Sequence, residues 1–343
     1  MAKQKKWSEL SPEKREEIKA TREKNLTEAR SRLASGVEAL LKGNRWKEYL
    51  QFSQKFHQYS FSNIMLIMLQ HPDARQVASF QTWKSMGRFV KKGEHGIEIF
   101  VPIFSKNHRI GAQQRSKDIG LGDEEALNRA AGEERMEENA GKTLVGFKMG
   151  SVFDVSQTDG QPLPEHPCTP LEGDDEGVFA VLKEAVETFL QIPVAFETLP
   201  TGTFGCCQFN LNQDSHPTAI TISNDPTMSG VQRLDTLAHE AGHAMLHSGL
   251  EYRQHTRQSI RELEAESTAF CILSALGFDS SQVSFGYLAI WAESGGEDCV
   301  KEIERSGQRI LEASRRILGW MEENLGVPIE IQMTSNEDEL VVA

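Results

Sequence analysis

The segment LDTLAHEAGHAMLH, residues 234–247, narrows the folds open to this chain more than any other stretch. His239 and His243 stand four residues apart, and side chains at i and i+4 share one face of an α-helix. Leu234, Leu237, Ala238, Ala241, Ala244, Met245 and Leu246 supply the apolar surface such a helix needs, and Asp235 near its start suits the helix dipole. Two imidazoles on one face can reach a single metal ion. Glu240, next to the first of them, can address a water on that ion. Zinc, Zn2+, lowers the pKa of such a water, and a carboxylate can take its proton and pass it to a leaving amine.

A catalytic zinc site has three protein ligands and one open position. Downstream, IRELEAESTAFCILSALG at 260–277 reads as a helix with three glutamates. Glu262 and Glu266 are one turn apart, on the side of Ala269 and Leu273, where a buried charge needs a partner. Glu262 is the expected third ligand. Glu266 is expected behind it, accepting a hydrogen bond from a ligand histidine's other nitrogen. The reverse assignment stays open. Glu264 points elsewhere and fits a solvated acidic face. His247, a turn beyond His243, could steady the site or touch substrate, and a structural histidine is equally consistent. The strand TAITIS at 218–223 is either an edge that takes an extended peptide or a core strand. Cys206 and Cys207 read as buried small hydrophobes. A zinc nuclease is disfavoured, because one two-His, one-Glu site lacks the paired metals many nucleases use.

The 343 residues, 38% hydrophobic and 25% charged, give room for two or more domains. A formal net charge of -13 argues against attraction of the whole molecule to nucleic acid or anionic membrane. The charge is uneven, however: residues 1–106 carry about 20 Lys/Arg against about 11 Asp/Glu. No apolar run approaches the ~18 residues of a membrane span, so no membrane partner is expected. The basic start lacks the apolar stretch of a signal peptide. Five cysteines without a C-x-x-C pair fit a reducing cytoplasm, the expected location.

Composition shifts divide the chain into a basic helical arm at 1–36, a first domain at 37–164 with a flexible insertion at 105–141, a linker at 165–177, a second domain at 178–334 and a tail at 335–343. Ser11-Pro12 suits a helix start. Residues 37–70 read as two helices broken near Gly43-Asn44, with a further break open near Ser60, and ended by His71-Pro72, and RFVKKGEHGIEIFVPI reads as strand, turn, strand. The first domain interleaves cations with aromatics: Arg45, Trp46, Tyr49, Lys55, Phe56, Tyr59, Trp83, Lys84, Arg88, Phe89, Lys91 and Lys92. Cations that follow phosphates and rings that stack on bases are what a single-stranded nucleic acid requires. Trp46, Phe52 and Phe56 have helical spacing that favours the core. Arg88, Lys91 and Lys92, around a turn, are the best candidates for phosphate contact.

Two resemblances follow from these segments. HEAGHAMLH followed by RELEAESTAF resembles the ImmA/IrrE group of zinc metallopeptidases, whose third ligand is the glutamate of an E-x-x-A segment, here Glu262. The ordered segments Y-S-x-x-N, F-x-x-W, G-R-x-V-x-K-G-E and F-D-x-x-Q-T resemble the N-terminal domain of ArdC-type antirestriction proteins, over about 37–164. That resemblance implies single-stranded DNA as partner, adds Asn63 to the candidate contacts, and implies a mobile-element protein that shields incoming DNA from restriction. The resulting expectation is an α+β fold of two domains: an α+β DNA-binding head and a mainly helical, zincin-like metallopeptidase domain with a small sheet, acting on an unknown protein substrate. The alternatives are a non-enzymatic single-strand binder with structural zinc, and a regulatory protease that cleaves a repressor.

Overall fold

Ser11 accepts a hydrogen bond from the Lys14 backbone at 3.2 Å and so caps the first helix, α1 (Pro12–Ala39). The computed structural model describes residues 11–42, 45–56, 58–105, 143–161, 175–210, 215–278 and 296–327. The expected insertion beyond Ser105, the expected linker up to residue 174, the tail and the Gly43-Asn44 break lie outside the described residues. The elements after α1 are α2 (Arg45–Ser53), α3 (Phe61–Gln70), β1 (Val77–Ser79), α4 (Phe80–Ser85), β2 (Arg88–Val90), β3 (Ile97–Ser105), β4 (Thr143–Asp154) and β5 (Thr158–Gly160). Then come α5 (Asp175–Thr188), β6 (Val194–Glu197), β7 (Gly205–Phe209), β8 (Pro217–Ser223), α6 (Gly230–Leu246), α7 (Leu250–His255), α8 (Gln258–Ala275) and α9 (Gly296–Leu325). The mixture of helices and small sheets is α+β, as expected. No described helix is long and apolar enough to cross a membrane.

The chain divides into two units. One takes the chain up to Val37 together with Ser62–Gln161, and the other takes Glu38–Phe61 together with the described part of Pro162–Met333.

In the first unit β4 lies between β1 and β3, antiparallel to both. The outer edge of β3 is closed by two side-chain amides of α3. Asn63 exchanges two hydrogen bonds with the Phe100 backbone (2.9 and 2.8 Å), and Gln70 exchanges two with Glu98 (2.9 and 2.9 Å). Each amide offers one donor and one acceptor, as a neighbouring strand residue would, so the edge is not left to pair with another chain. Strands β2 and β3 flank a turn at Gly93, whose φ of 95° is a left-handed conformation. They do not pair with each other: β2 pairs with β5 and β3 with β4. Asp154 ties the strand ends together. Its carboxylate accepts from the backbones of Arg75 (2.8 Å), Gln76 (3.0 Å) and Ser156 (2.9 Å). Burial alone would raise its pKa, but these hydrogen bonds outweigh burial and lower it.

In the second unit β8 is the central strand, parallel to β6 and antiparallel to β7. The segment TAITIS is therefore a core strand, and β7 forms a sheet edge. Leu182 and Val186 of α5, Ile220 and Ile222 of β8, Leu234, Leu237 and Ala241 of α6, Ile272 of α8 and Met321 of α9 share one buried cluster. The aromatic stretch around α2 belongs to this unit. Trp46, Tyr49, Phe52 and Phe56 are buried. The Trp46 indole donates to Ser267 of α8 at 2.9 Å. Arg315 of α9 donates to the carbonyls of Phe56 (3.1 Å) and Tyr59 (2.9 Å). Sequence composition joined this stretch to the basic head, whereas packing joins it to α8 and α9 of the second unit.

Candidate metal centre

A capping box between Ser229 and Gln232 starts α6, and the helix then runs without interruption through both histidines. Helices α6 and α8 approach closely at Gly242, where a Cβ would stand 3.0 Å from both Cα and O of Ala265. That approach brings Glu262 to the histidine pair. The Glu262 Oε2 lies 3.4 Å from Nε2 of His239 and 3.4 Å from Nε2 of His243, and the two nitrogens are 3.0 Å apart. Ligands at roughly 2.0–2.1 Å in a tetrahedral shell stand roughly 3.3–3.4 Å from one another. The three donor atoms thus have the identity and nearly the spacing of three corners of a divalent-metal site, and among the described residues they are the group that meets this test. Glu262, rather than Glu266, is the carboxylate that the structure brings to the imidazoles.

Electrostatics follow from this proximity. The imidazoles of His239 and His243, each 3.4 Å away, hold the Glu262 carboxyl far below the usual carboxylate range. Burial opposes a charged His239, yet contact with Glu262 and the nearby charges of Glu240 and Glu266 raise its pKa. Glu240 is only 8% exposed, and burial raises its pKa against the pull of His243 and His239. The nearby Cys207 backbone N–H of β7 works the other way and favours the ionised Glu240 carboxylate. Gly205 leaves that carboxylate room, since a Cβ there would stand 3.1 Å from Glu240 Oε1. Cys206 is exposed and Cys207 partly so, which corrects the expectation of two buried small hydrophobes.

Two expectations behind the ligands are revised. Glu266 influences His239 only through its charge, and its Oε2 is buried without a hydrogen-bond partner. Glu264, expected on a solvated face, is 1% exposed. It accepts from Tyr252 at 2.7 Å and lies 3.0 Å from Nε2 of His247, whose Nδ1 lies 2.8 Å from Nδ1 of His243. Burial favours a neutral Glu264, but the bond to His247 and the charge of Arg309 lower its pKa. Helix α8 is buried on nearly all sides, so its local pattern could not show which glutamates face water.

The candidate DNA contacts separate between the two units. Arg45, Lys55 and Tyr59 lie in the second, and Asn63, Trp83, Lys84, Arg88, Lys91 and Lys92 in the first. Arg45 is exposed beside Glu48 at 3.8 Å, and Lys55 lies over the Phe52 ring. The structure removes Trp83 from the stacking candidates, because its ring is fully buried and its indole donates to the Phe153 carbonyl at 2.8 Å. Asn63 is engaged at the β3 edge. Arg88 is engaged by Thr158 and Gln161, and Lys91 donates to the Ser156 carbonyl at 2.8 Å. Lys84 and Lys92 are exposed. So are two aromatic rings of the same unit, Phe80 and Phe89, at 49% and 58%.

Residues 16–153 match the family described as the N-terminal domain of anti-restriction factor ArdC. An uncharacterized protein of Bacillus anthracis is 25% identical over 292 residues, which cover 81% of this chain. The chain spans about half the length of that curated relative, 48%. Two crystal structures of the antirestriction ArdC protein from the R388 plasmid are each 19% identical to it. The metal-free form covers 78% of this chain and 85% of its own, with a TM-score of 0.45. For the Mn(II)-bound form the figures are 77%, 88% and 0.42.

Proposed function

We propose that this chain is an ArdC-type antirestriction protein that binds single-stranded DNA through its first unit and hydrolyses peptide bonds at a zinc centre in its second. The family match over residues 16–153 supports the antirestriction reading. The observation that carries the enzymatic reading is the convergence of His239, His243 and Glu262 beside a nearly buried Glu240.

His239, His243 and Glu262 would hold the ion, which when bound would supply a Lewis acid for a substrate carbonyl and an attacking water. Glu240 would take a proton from the attacking water and deliver it to the leaving amine nitrogen. The β7 edge beside Glu240 gives an extended peptide backbone a place to pair. On the first unit, exposed Lys84 and Lys92 suit phosphates, and exposed Phe80 and Phe89 suit stacking on unpaired bases.

The test uses the full-length protein, because Glu38–Phe61 folds with the second unit. Zinc content is measured together with hydrolysis of an unstructured protein such as casein, in the wild type and in Glu240→Gln. The expected result is about one zinc in both and hydrolysis only in the wild type. Zinc in both with hydrolysis in neither assigns the ion a structural role and refutes the peptidase. In parallel, anisotropy of labelled single strands and duplex across a salt series should show a single-strand preference that Lys92→Ala and Phe89→Ala weaken. Equal affinity for both DNA forms refutes the DNA reading.

A further inference from the structure

Behind the metal triad, four elements converge on one buried carboxylate. Glu264 comes from α8, His247 from the end of α6, Tyr252 from α7 and Arg309 from α9. A carboxylate 1% exposed is costly to ionise unless it is bonded. Here Oε2 has two partners, while Oε1 has no hydrogen-bond partner and only the Arg309 charge nearby. The Tyr252 hydroxyl donates to Oε2 at 2.7 Å, His247 Nε2 lies 3.0 Å from the same oxygen, and Arg309 Nε lies 3.8 Å from Oε1. The Arg309 guanidinium sits 3.9 Å from the Tyr252 ring centre, and the Tyr252 and His247 rings are parallel within 3°. The imidazole of His247 is thus held between a fixed ring and a fixed anion.

The order of donors and acceptors then follows. An ionised carboxylate only accepts, so the proton of neutral His247 sits on Nε2. Its Nδ1 carries a lone pair, and at 2.8 Å it can bond His243 Nδ1 only as acceptor. His243 therefore carries its proton on Nδ1 and turns the Nε2 lone pair toward His239 and Glu262. Most metal-bound histidines donate such a bond directly to a carboxylate or a carbonyl. Here a second imidazole stands between.

We propose that Glu264 and His247 act as positioning residues: a carboxylate–imidazole–imidazole relay that fixes the tautomer and ring orientation of His243 so that Nε2 faces the ion. This rests on the metal-centre reading above, but its first consequence, the protonation order of two histidines, is measurable without metal. A cluster that merely bonds a buried carboxylate would also tie α6 to α8, without imposing a tautomer on His243.

The experiment is long-range proton–nitrogen NMR of full-length protein labelled with 15N in histidine, chelator-treated, at about pH 8, followed by zinc affinity from competition with a chromophoric chelator. The His243 signals are identified by their loss in His243→Gln. Wild type should show His243 protonated on Nδ1 and His247 on Nε2. His247→Phe fills the space without a nitrogen; it should release His243 into a tautomer mixture and weaken zinc binding about 10- to 100-fold. His247→Gln can accept with its carbonyl oxygen and donate with its amide, so it should keep the wild-type tautomer and bind zinc within about threefold of wild type. Wild-type His243 protonated on Nε2 overturns the relay. So does a His247→Phe protein that melts lower yet keeps the tautomer and the zinc affinity. Wild type with the expected tautomers that takes up no zinc overturns the metal reading and supports the imidazole order.

Discussion

Gly242 is the residue on which the spacing of the metal ligands turns. Adding one methyl group, Gly242→Ala, places a Cβ 3.0 Å from Cα and O of Ala265. Both atoms are backbone, so no side chain can rotate away. Ordinary contact is roughly 3.5 Å or more, and α6 and α8 must part by about 0.5 Å to restore it. Metal–ligand distances tolerate about 0.2 Å. The substitution should therefore do two things. Overpacking should destabilise the second unit by about 1–3 kcal/mol, which lowers its melting temperature by about 2–12 °C for a unit of this size. Displacement of Glu262 from the histidines should weaken zinc binding about tenfold or more. Chelator-treated protein followed by differential scanning fluorimetry reads the first effect, and chelator competition reads the second. Gly319→Ala is the control: its Cβ meets nothing within 4 Å, so the helix gain of about 0.5–1 kcal/mol should appear as a slightly higher melting temperature. A Gly242→Ala protein with wild-type stability and zinc affinity would show that the α6–α8 approach does not set the site.

Three further outcomes are expected. Ser267→Ala leaves the buried Trp46 indole without that acceptor and should cost about 1–3 kcal/mol in urea unfolding; no change would mean that the bond is replaced. Asn63→Ala unseats both bonds to Phe100 and exposes the β3 edge; light scattering at rising concentration should show more self-association than wild type. Asp154→Asn should cost about 1.5–3 kcal/mol near pH 7, since charge-assisted bonds to three backbone groups are weakened. The Asp154 pKa is depressed on folding, so its stabilisation is complete above the unfolded value and is lost as pH falls through the lower, folded one. The gap between Asp154→Asn and wild type should therefore narrow on acidification, and a gap that widens contradicts the assignment.

The convergence of the candidate metal ligands was legible in the sequence because helical spacing is a local property. His239 and His243 needed only the i, i+4 rule, and Glu262 needed a helix with a buried side. What lay behind them was not local. Glu264 meets His247 and Tyr252 across 17 and 12 residues, and Arg309 comes from another helix. No periodicity within α8 encodes those partners. Several residues of the first unit's motifs prove to be engaged internally, for a related reason. Asn63, Trp83, Arg88 and Asp154 stand out in the ordered segments of the first unit, yet each is engaged in holding that unit together. Those motifs report the fold, while exposed groups such as Lys92 and Phe89 are less distinctive in sequence.

The placement of Glu38–Phe61 has a consequence in time as well as in space. The segment leaves the ribosome early, but Trp46 meets Ser267 only after 221 further residues. At about 5–20 residues per second, that is a wait of roughly 10–45 s. During it Trp46, Tyr49, Phe52 and Phe56 lack the helices that finally cover them, while Ser62–Gln161 is being synthesised and can fold between. The order of synthesis thus leaves an aromatic segment exposed until α8 and α9 arrive. Chaperone demand during expression should fall if that interval is shortened by shifting residues 38–61 to the front of the second unit.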